Sequence, residues 1–300
     1  MPAIFLKLHI AVLIGGFTGL FGRLINLDAF WIVFGRMIIG GIFLIAYLML
    51  KGKITYIGIK GIVKGMALGA LLCCHLMLFY LSIKLSNVSI GVVCVSTIGF
   101  FVAFIEPLMF KSRFSITDLL YSLLAILGVL FIFGFDSRYR LGISVGIICA
   151  LLSGIYSILN RKAAPLYDNY TFMSWQLTGG SLFMALLCPA YYLIYGSFNL
   201  HFEITDLVYL FLAGTICTAL MYLLQLQVLK RLSAFTVMLS YNLEPVYSII
   251  LAMLIFSENN ELNYAFYIGI AFIVFSVALK TSKALHLDRK TLPHKHKSNL

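Results

Sequence analysis

Charge is what this 300-residue sequence has least of: Asp, Glu, Lys and Arg together supply 11% of it, against 62% hydrophobic residues and a mean hydropathy of +1.01. Soluble domains average about 25% charged residues. A water-facing surface cannot be built from so small a supply, so the bilayer must be the solvent for most of the chain. The acidic residues within apolar stretches are scattered, and no His/Asp pair borders a span. That argues against an intramembrane enzyme, whose reacting groups must lie within hydrogen-bond reach of one another. A Gly-x-x-x-x-Gly-Lys-Ser/Thr loop is missing, which excludes ATP hydrolysis by this chain. The cysteines (Cys73, Cys74, Cys94, Cys149, Cys188 and Cys217) all fall inside apolar stretches, which fits buried, reduced thiols and argues against a disulfide framework or a zinc site. No small-residue cleavage site follows the first apolar stretch, Ile4 to Leu24, so it reads as a retained helix.

What is present is a series of apolar runs, broken about every 25–30 residues, each able to supply the roughly 20 residues that a span needs. Spans are expected near residues 4–24, 29–50, 61–83, 87–110 and 116–135, then near 141–163, 170–195, 205–229, 233–256 and 262–281. Clusters such as Lys51-Gly52-Lys53, Lys111-Ser112-Arg113 and Asp136-Ser137-Arg138 mark the breaks. The net charge of +11 sits in short loops between spans, so it sets membrane orientation and does not imply nucleic acid. With a cytosolic N-terminus, the outside segments hold only Arg23, Lys84, Arg138 and Arg140, and Arg36 lies within a span. Every other Lys and Arg then falls inside, as the positive-inside rule requires, and both termini are cytosolic.

The two halves repeat short patterns. Leu85-Ser86-Asn87-Val88-Ser89-Ile90 matches Leu232-Ser233-Ala234-Phe235-Thr236-Val237; Arg36 with Gly40-Gly41 matches Gln176 with Gly179-Gly180; Thr18-Gly19 matches Ser153-Gly154. A duplicated unit of five helices must insert upside down relative to its twin, an arrangement typical of secondary transporters. The expected fold is therefore an all-α membrane protein of ten transmembrane helices in two inverted five-helix repeats, residues 1–140 and 141–282. A basic cytosolic tail, 283–300, follows and carries Pro293-His294-Lys295-His296-Lys297.

Phe34-Gly35-Arg36 followed by Gly40-Gly41, Leu81 through Ile90, Glu106-Pro107-Leu108-Met109-Phe110-Lys111 and Glu244-Pro245 carry a family resemblance. In these residues, and across about 5–281, the chain resembles the EamA-type permeases of the drug/metabolite transporter superfamily. The resemblance implies the ten-helix fold, a transport role, and export of amino acids or similar small metabolites across a bacterial inner membrane. It does not imply a particular substrate. Where that family often has a proline midway along span four, this chain has Ile98-Gly99, so a break there would have to come from Gly99.

Ionisable groups within spans cost about 2.5–3.5 kcal/mol to insert and are functional candidates by default. At 1.5 Å per residue, Arg36 lies about 10 Å below the outer edge of a core roughly 30 Å thick. Glu244 and His75 lie about 17 and 21 Å above the inner edge, and Glu106 about 6 Å. Arg36, His75 and Glu244 thus share a central layer, whereas Glu106 sits near the cytosolic end and suits a capping role. Pro245 should break span nine and free the carbonyl of Tyr241. Glu244 then either satisfies freed backbone or acts in the cavity as a proton or substrate site. Arg36 either grips a carboxylate with its fork or serves as counter-ion to Glu244. His75 is either an inter-helix histidine or a substrate contact. Thr97, Trp175, Gln176, Tyr222, Tyr241 and Asn242 complete the candidate substrate site, and Gly99, Pro107 and Pro245 the candidate helix breaks.

A secondary transporter of small organic metabolites, with alternating access between halves, is the function these residues favour. A membrane receptor or scaffold without transport is the alternative, and an intramembrane enzyme a weaker one. No cofactor or metal is expected, the partners being membrane lipid and a small-molecule substrate; a monomer and a homodimer both fit.

Overall fold

The computed structural model describes residues 2–135, 137–198, 203–241, 243–260, 262–272, 274–276 and 279. The basic tail and Asn242 lie outside the described residues. Among the described residues the chain is nearly all helix, joined by short loops. In order it forms α1 (Pro2–Leu24), α2 (Ala29–Leu50), α3 (Gly58–Leu85), α4 (Val88–Val95), α5 (Ile98–Phe110) and α6 (Ile116–Phe135). There follow α7 (Arg140–Ala163), α8 (Asn169–Tyr195), α9 (Ile204–Gly214), a π-helical stretch Thr215–Leu220, α10 (Met221–Leu229), α11 (Ala234–Tyr241) and α12 (Glu244–Phe256). A last apolar helix, α13, covers Tyr264–Ser276. Counting α4–α5 and α9–α10 as continuous, seven helices among the described residues are long and apolar enough to cross a membrane; three shorter apolar ones are Ser122–Ile132, Glu244–Phe256 and Tyr264–Ser276. The surface is studded with exposed Leu, Ile and Phe, Ile42, Leu186, Leu193 and Leu254 among them, as a lipid-facing bundle requires.

Two of the apolar runs are broken midway, each into a helix of eight residues followed by one of thirteen. In α11–α12 the break falls just before Glu244-Pro245, where Pro245 has no N–H to give the carbonyl of Tyr241. In α4–α5 it falls at Ser96-Thr97 and not at Gly99, which lies inside α5. The hydroxyls of Ser96 and Thr97 donate back to Val93 O and Cys94 O at 2.6 and 2.7 Å. These hydroxyls compete with the backbone N–H groups for the helix's own carbonyls, whereas a proline breaks the ladder by lacking an N–H. Pro107 does not end a helix either: α5 runs past it to Phe110.

Packing interleaves the first and second parts of the chain. Helix α3 lies against α7 and α8, while the segment 204–229 lies against α1 and α2. The broken pair α4–α5 packs on α7, and α11–α12 packs on α1; the two broken pairs also touch each other, α4 on α12 and α5 on α11. Contact between α3 and α8 is backbone to backbone: a Cβ at Gly69 would overlap the Gln176 carbonyl, and one at Gly179 would overlap Met66. Such close approach is the usual work of small residues between membrane helices.

Candidate functional site

A cavity of ≈ 60 Å³ lies where these elements converge, at the level of both helix breaks. Val95 and Ile98 reach it from the α4–α5 break, and Met238, Tyr241 and Glu244 from the α11–α12 break. Thr18 of α1, His75, Leu76 and Phe79 of α3, Cys149 and Ser153 of α7, and Met221, Tyr222 and Gln225 of α10 close the rest. At about 10–15 Å³ for each water, that is room for a handful of waters.

Glu244 opens α12, so its carboxyl sits in the first helical turn, where the helix dipole favours negative charge. Space for it is made by α1: a Cβ at Gly15 would lie 2.9 Å from Glu244 Oε2. The carboxyl makes no hydrogen bond or ion pair among the described residues, although it is 8% exposed. Two further polar groups in the same wall are also buried without a partner, the hydroxyls of Thr18 and Tyr241.

His75 is already engaged. Its Nδ1 lies 3.3 Å from Leu71 O, a carbonyl that can only accept, so the proton belongs on Nδ1. Its Nε2, 3.2 Å from the Tyr222 hydroxyl, then accepts from that O–H, and the ring needs no second proton. The rings of His75, Tyr156 and Tyr222 pack together, with the two tyrosines edge to face at 5.8 Å.

Arg36 is near this layer but does not line the cavity. It is fully buried, with Nε donating to Thr218 Oγ1 and Nη2 to Cys217 O, both at 2.8 Å, and Nη1 donating to the Tyr80 hydroxyl. The π-helical stretch presents the first two acceptors: its wider turn leaves the Cys217 carbonyl available and lets Thr218 Oγ1 donate to Ala213 O at 2.7 Å. The guanidinium forms no ion pair with Glu244 among the described residues.

Gln176 is likewise spent within the protein. It accepts from the Tyr156 hydroxyl and donates to Asn160 Oδ1, both at 2.8 Å. Thr97 is tied to its own helix, and Trp175 packs against α3 at Gly65. Of the residues marked in the sequence as substrate contacts, the structure brings His75, Tyr222, Tyr241 and Glu244 together around the cavity. Arg36, Thr97, Trp175 and Gln176 are not brought to it. Sequence reasoning did not mark Thr18, Phe79, Cys149, Ser153, Met221 and Met238 as contacts. One signal for them existed, since Thr18 and Ser153 are the matched residues of the Thr-Gly and Ser-Gly repeat.

Away from the cavity lining, two similar devices tie the ends of the broken pairs together. At one end the Glu258 carboxylate accepts from Val88 N and Ser89 N, each at 3.0 Å, and from Ser89 Oγ at 2.6 Å, capping α4. Arg23 pairs with it at 2.8 Å and lies over the Phe256 ring. At the other end the Glu106 carboxylate accepts from Ala234 N at 2.9 Å and Phe235 N at 3.0 Å, capping α11. Arg161 pairs with it and lies over the Phe110 ring. In each case a glutamate from one broken pair holds the N-terminus of the other.

A model of the EamA-like transporter family matches residues 3–134 and again 140–282. An uncharacterized transporter of Clostridium kluyveri is 27% identical over 147 residues, which is 49% of this chain and 45% of that relative. The chain thus aligns with less than half the length of this curated relative. Among solved structures, the crystal structure of one protein superposes with a TM-score of 0.69 at 18% identity, over 94% of this chain and 98% of its own, a likeness of fold.

Proposed function

The chain belongs to the EamA-like transporter family and is a multi-pass integral membrane protein, and from that premise we propose that it is a secondary transporter working by alternating access. In this reading the fold is ten spans in two inverted repeats, 1–140 and 141–282, with both termini cytosolic and the chain in a bacterial inner membrane. Small organic metabolites such as amino acids are the cargo, and export is the direction. The basic tail, 283–300, stays in the cytosol.

The observation that carries the mechanism is the pair of glutamate caps. In this reading they gate opposite ends of one cavity, since α4–α5 runs from the Glu258 end to the Glu106 end and α11–α12 runs back. Each lock joins elements from both halves, so a rocking motion that parts α4 from Glu258 leaves the other lock free to stay shut. The cytosolic orientation places the Arg161–Glu106 lock inside and the Arg23–Glu258 lock outside.

Glu244 is the coupling site in this reading, exchanging a proton. Facing it are the Thr18 side of α1, His75 and Tyr80 of α3, Cys149 of α7, Cys217 and Tyr222 of the 215–229 segment, Tyr241 of α11 and, behind Tyr80, Arg36. Flux of labelled metabolites in proteoliposomes tests the function: movement without chemical change is expected, and a chain that binds but never moves any cargo is a receptor. Glu244→Gln is expected to abolish the pH dependence of flux; an unchanged rate and pH profile rules out the coupling role.

A further inference from the structure

We propose that the central cavity recognises the ammonium group of an organic amine, with Glu244 as its counter-ion and the aromatic and methionine walls holding its apolar body. The inference rests on the transport reading above and names the class of cargo for that same cavity.

The charge inventory makes the first step. Among the residues lining the cavity, Glu244 is the one of formally charged type, and no Lys or Arg reaches it. Arg36, the cation that could have received a carboxylate, has its fork directed at Thr218, Cys217 and Tyr80. The two nitrogens of His75 are consumed by Leu71 and Tyr222. A cargo carboxylate would therefore enter beside Glu244 with no Lys or Arg lining the cavity to receive it.

The second step is what stands unpartnered. Glu244, the Tyr241 hydroxyl and the Thr18 hydroxyl all lack partners among the described residues, and all three face one cavity. Burying polar groups without partners is costly, so a wall holding three of them is a wall awaiting a donor. An ammonium group has three N–H bonds to distribute. At the α11–α12 break, Pro245 lacks the N–H that the Tyr241 carbonyl would accept from in an unbroken helix. Freed carbonyls at the C-terminal end of a half-helix are favoured positions for cations in such folds.

The third step concerns the rest of the molecule. Phe79, Tyr222 and Tyr241 offer ring faces, which attract cations as well as apolar groups. Met221 and Met238 offer deformable thioethers that adapt to different shapes. A bare metal ion has no use for such walls; an aryl- or alkyl-amine does.

Three probes sharing one ring separate the possibilities: phenethylamine, phenylalanine and 3-phenylpropionate, bearing an ammonium, both charges and a carboxylate. Calorimetric binding to the purified full-length protein is expected to rank phenethylamine first and 3-phenylpropionate last, at least about tenfold apart, as a charge-assisted bond should give. Glu244→Gln, checked for an unchanged unfolding temperature, should lose that preference. Tyr241→Phe, which removes a hydroxyl with no partner, should weaken the amine severalfold while leaving the fold intact. A cavity that prefers the carboxylate, an amine affinity untouched in Glu244→Gln, or no binding of phenethylamine each overturns the proposal. Counterflow in proteoliposomes keeps the two readings apart. Amine binding without flux contradicts transport and leaves the site standing; flux of carboxylates alone upholds transport and removes the amine assignment.

Discussion

Arg36 and Glu244 are the buried charges at the centre of this molecule, and their surroundings are opposite. Arg36 is surrounded by acceptors and fully sealed, so its role is to bind α2 to α3 and to the π-helical stretch. Arg36→Ala should therefore cost stability, about 3 kcal/mol or more, because it leaves two oxygens and a hydroxyl buried without a donor. Unfolding in detergent measures this; a variant as stable as the parent would show that Arg36 is not structural. Glu244 has no such partners, so Glu244→Gln should change stability by less than about 1 kcal/mol while changing binding and flux. The sequence assigned both residues to one central layer but could not tell their surroundings apart. Depth follows from 1.5 Å per residue, whereas partners depend on how neighbouring helices turn. The stretch Thr215–Leu220 bears no mark in its composition of the wider turn that satisfies Arg36.

At the scale of single elements, the sequence read the helices well and their interruptions only in part. Hydropathy and loop charges place α1, α2, α3, α7 and α8 within a few residues of where they lie. Pro245 marks its break because a proline cannot do otherwise. The Ser96-Thr97 break carries no such marker, since hydroxyls that back-bond to carbonyls are common in unbroken helices too. Pro245→Ala restores a donor to the Tyr241 carbonyl, and it should weaken amine binding while raising helix stability. Phenethylamine titration checks it, with unchanged affinity counting against the break as an acceptor. Close packing gives a second contrast. Gly69→Ala should destabilise by about 1–3 kcal/mol, because its Cβ meets the α8 backbone. Gly41→Ala, whose Cβ would lie 3.5 Å from Leu177 Cβ, should be tolerated. Thermal unfolding of the pair tests whether α3 and α8 meet through their backbones; equal losses would contradict it.

Taken whole, the molecule carries the same device twice in inverted positions, and the sequence repeats do not reveal it. Glu106 lies inside α5, four residues before Phe110, whereas Glu258 lies beyond the left-handed turn at Ser257 that ends α12. The two glutamates occupy different places in their own segments and meet the same need, a carboxylate on the exposed N–H groups of a half-helix. Glu258 has no distinguishing feature in the sequence, since Ser257-Glu258-Asn259-Asn260 reads as an ordinary polar loop. Its partners come from elements far away in the chain, which no local pattern encodes.

Cys149 lines the cavity between the two locks, so its thiol reports which end is open. In a background with the other cysteines replaced, labelling with a membrane-impermeant maleimide from each side of oriented vesicles measures that directly. The account predicts that Glu258→Gln raises labelling of Cys149 from the outside, and that Glu106→Gln raises it from the cytosolic side. Both variants opening toward the same side, or neither changing the labelling, would contradict a cavity closed by two opposed locks.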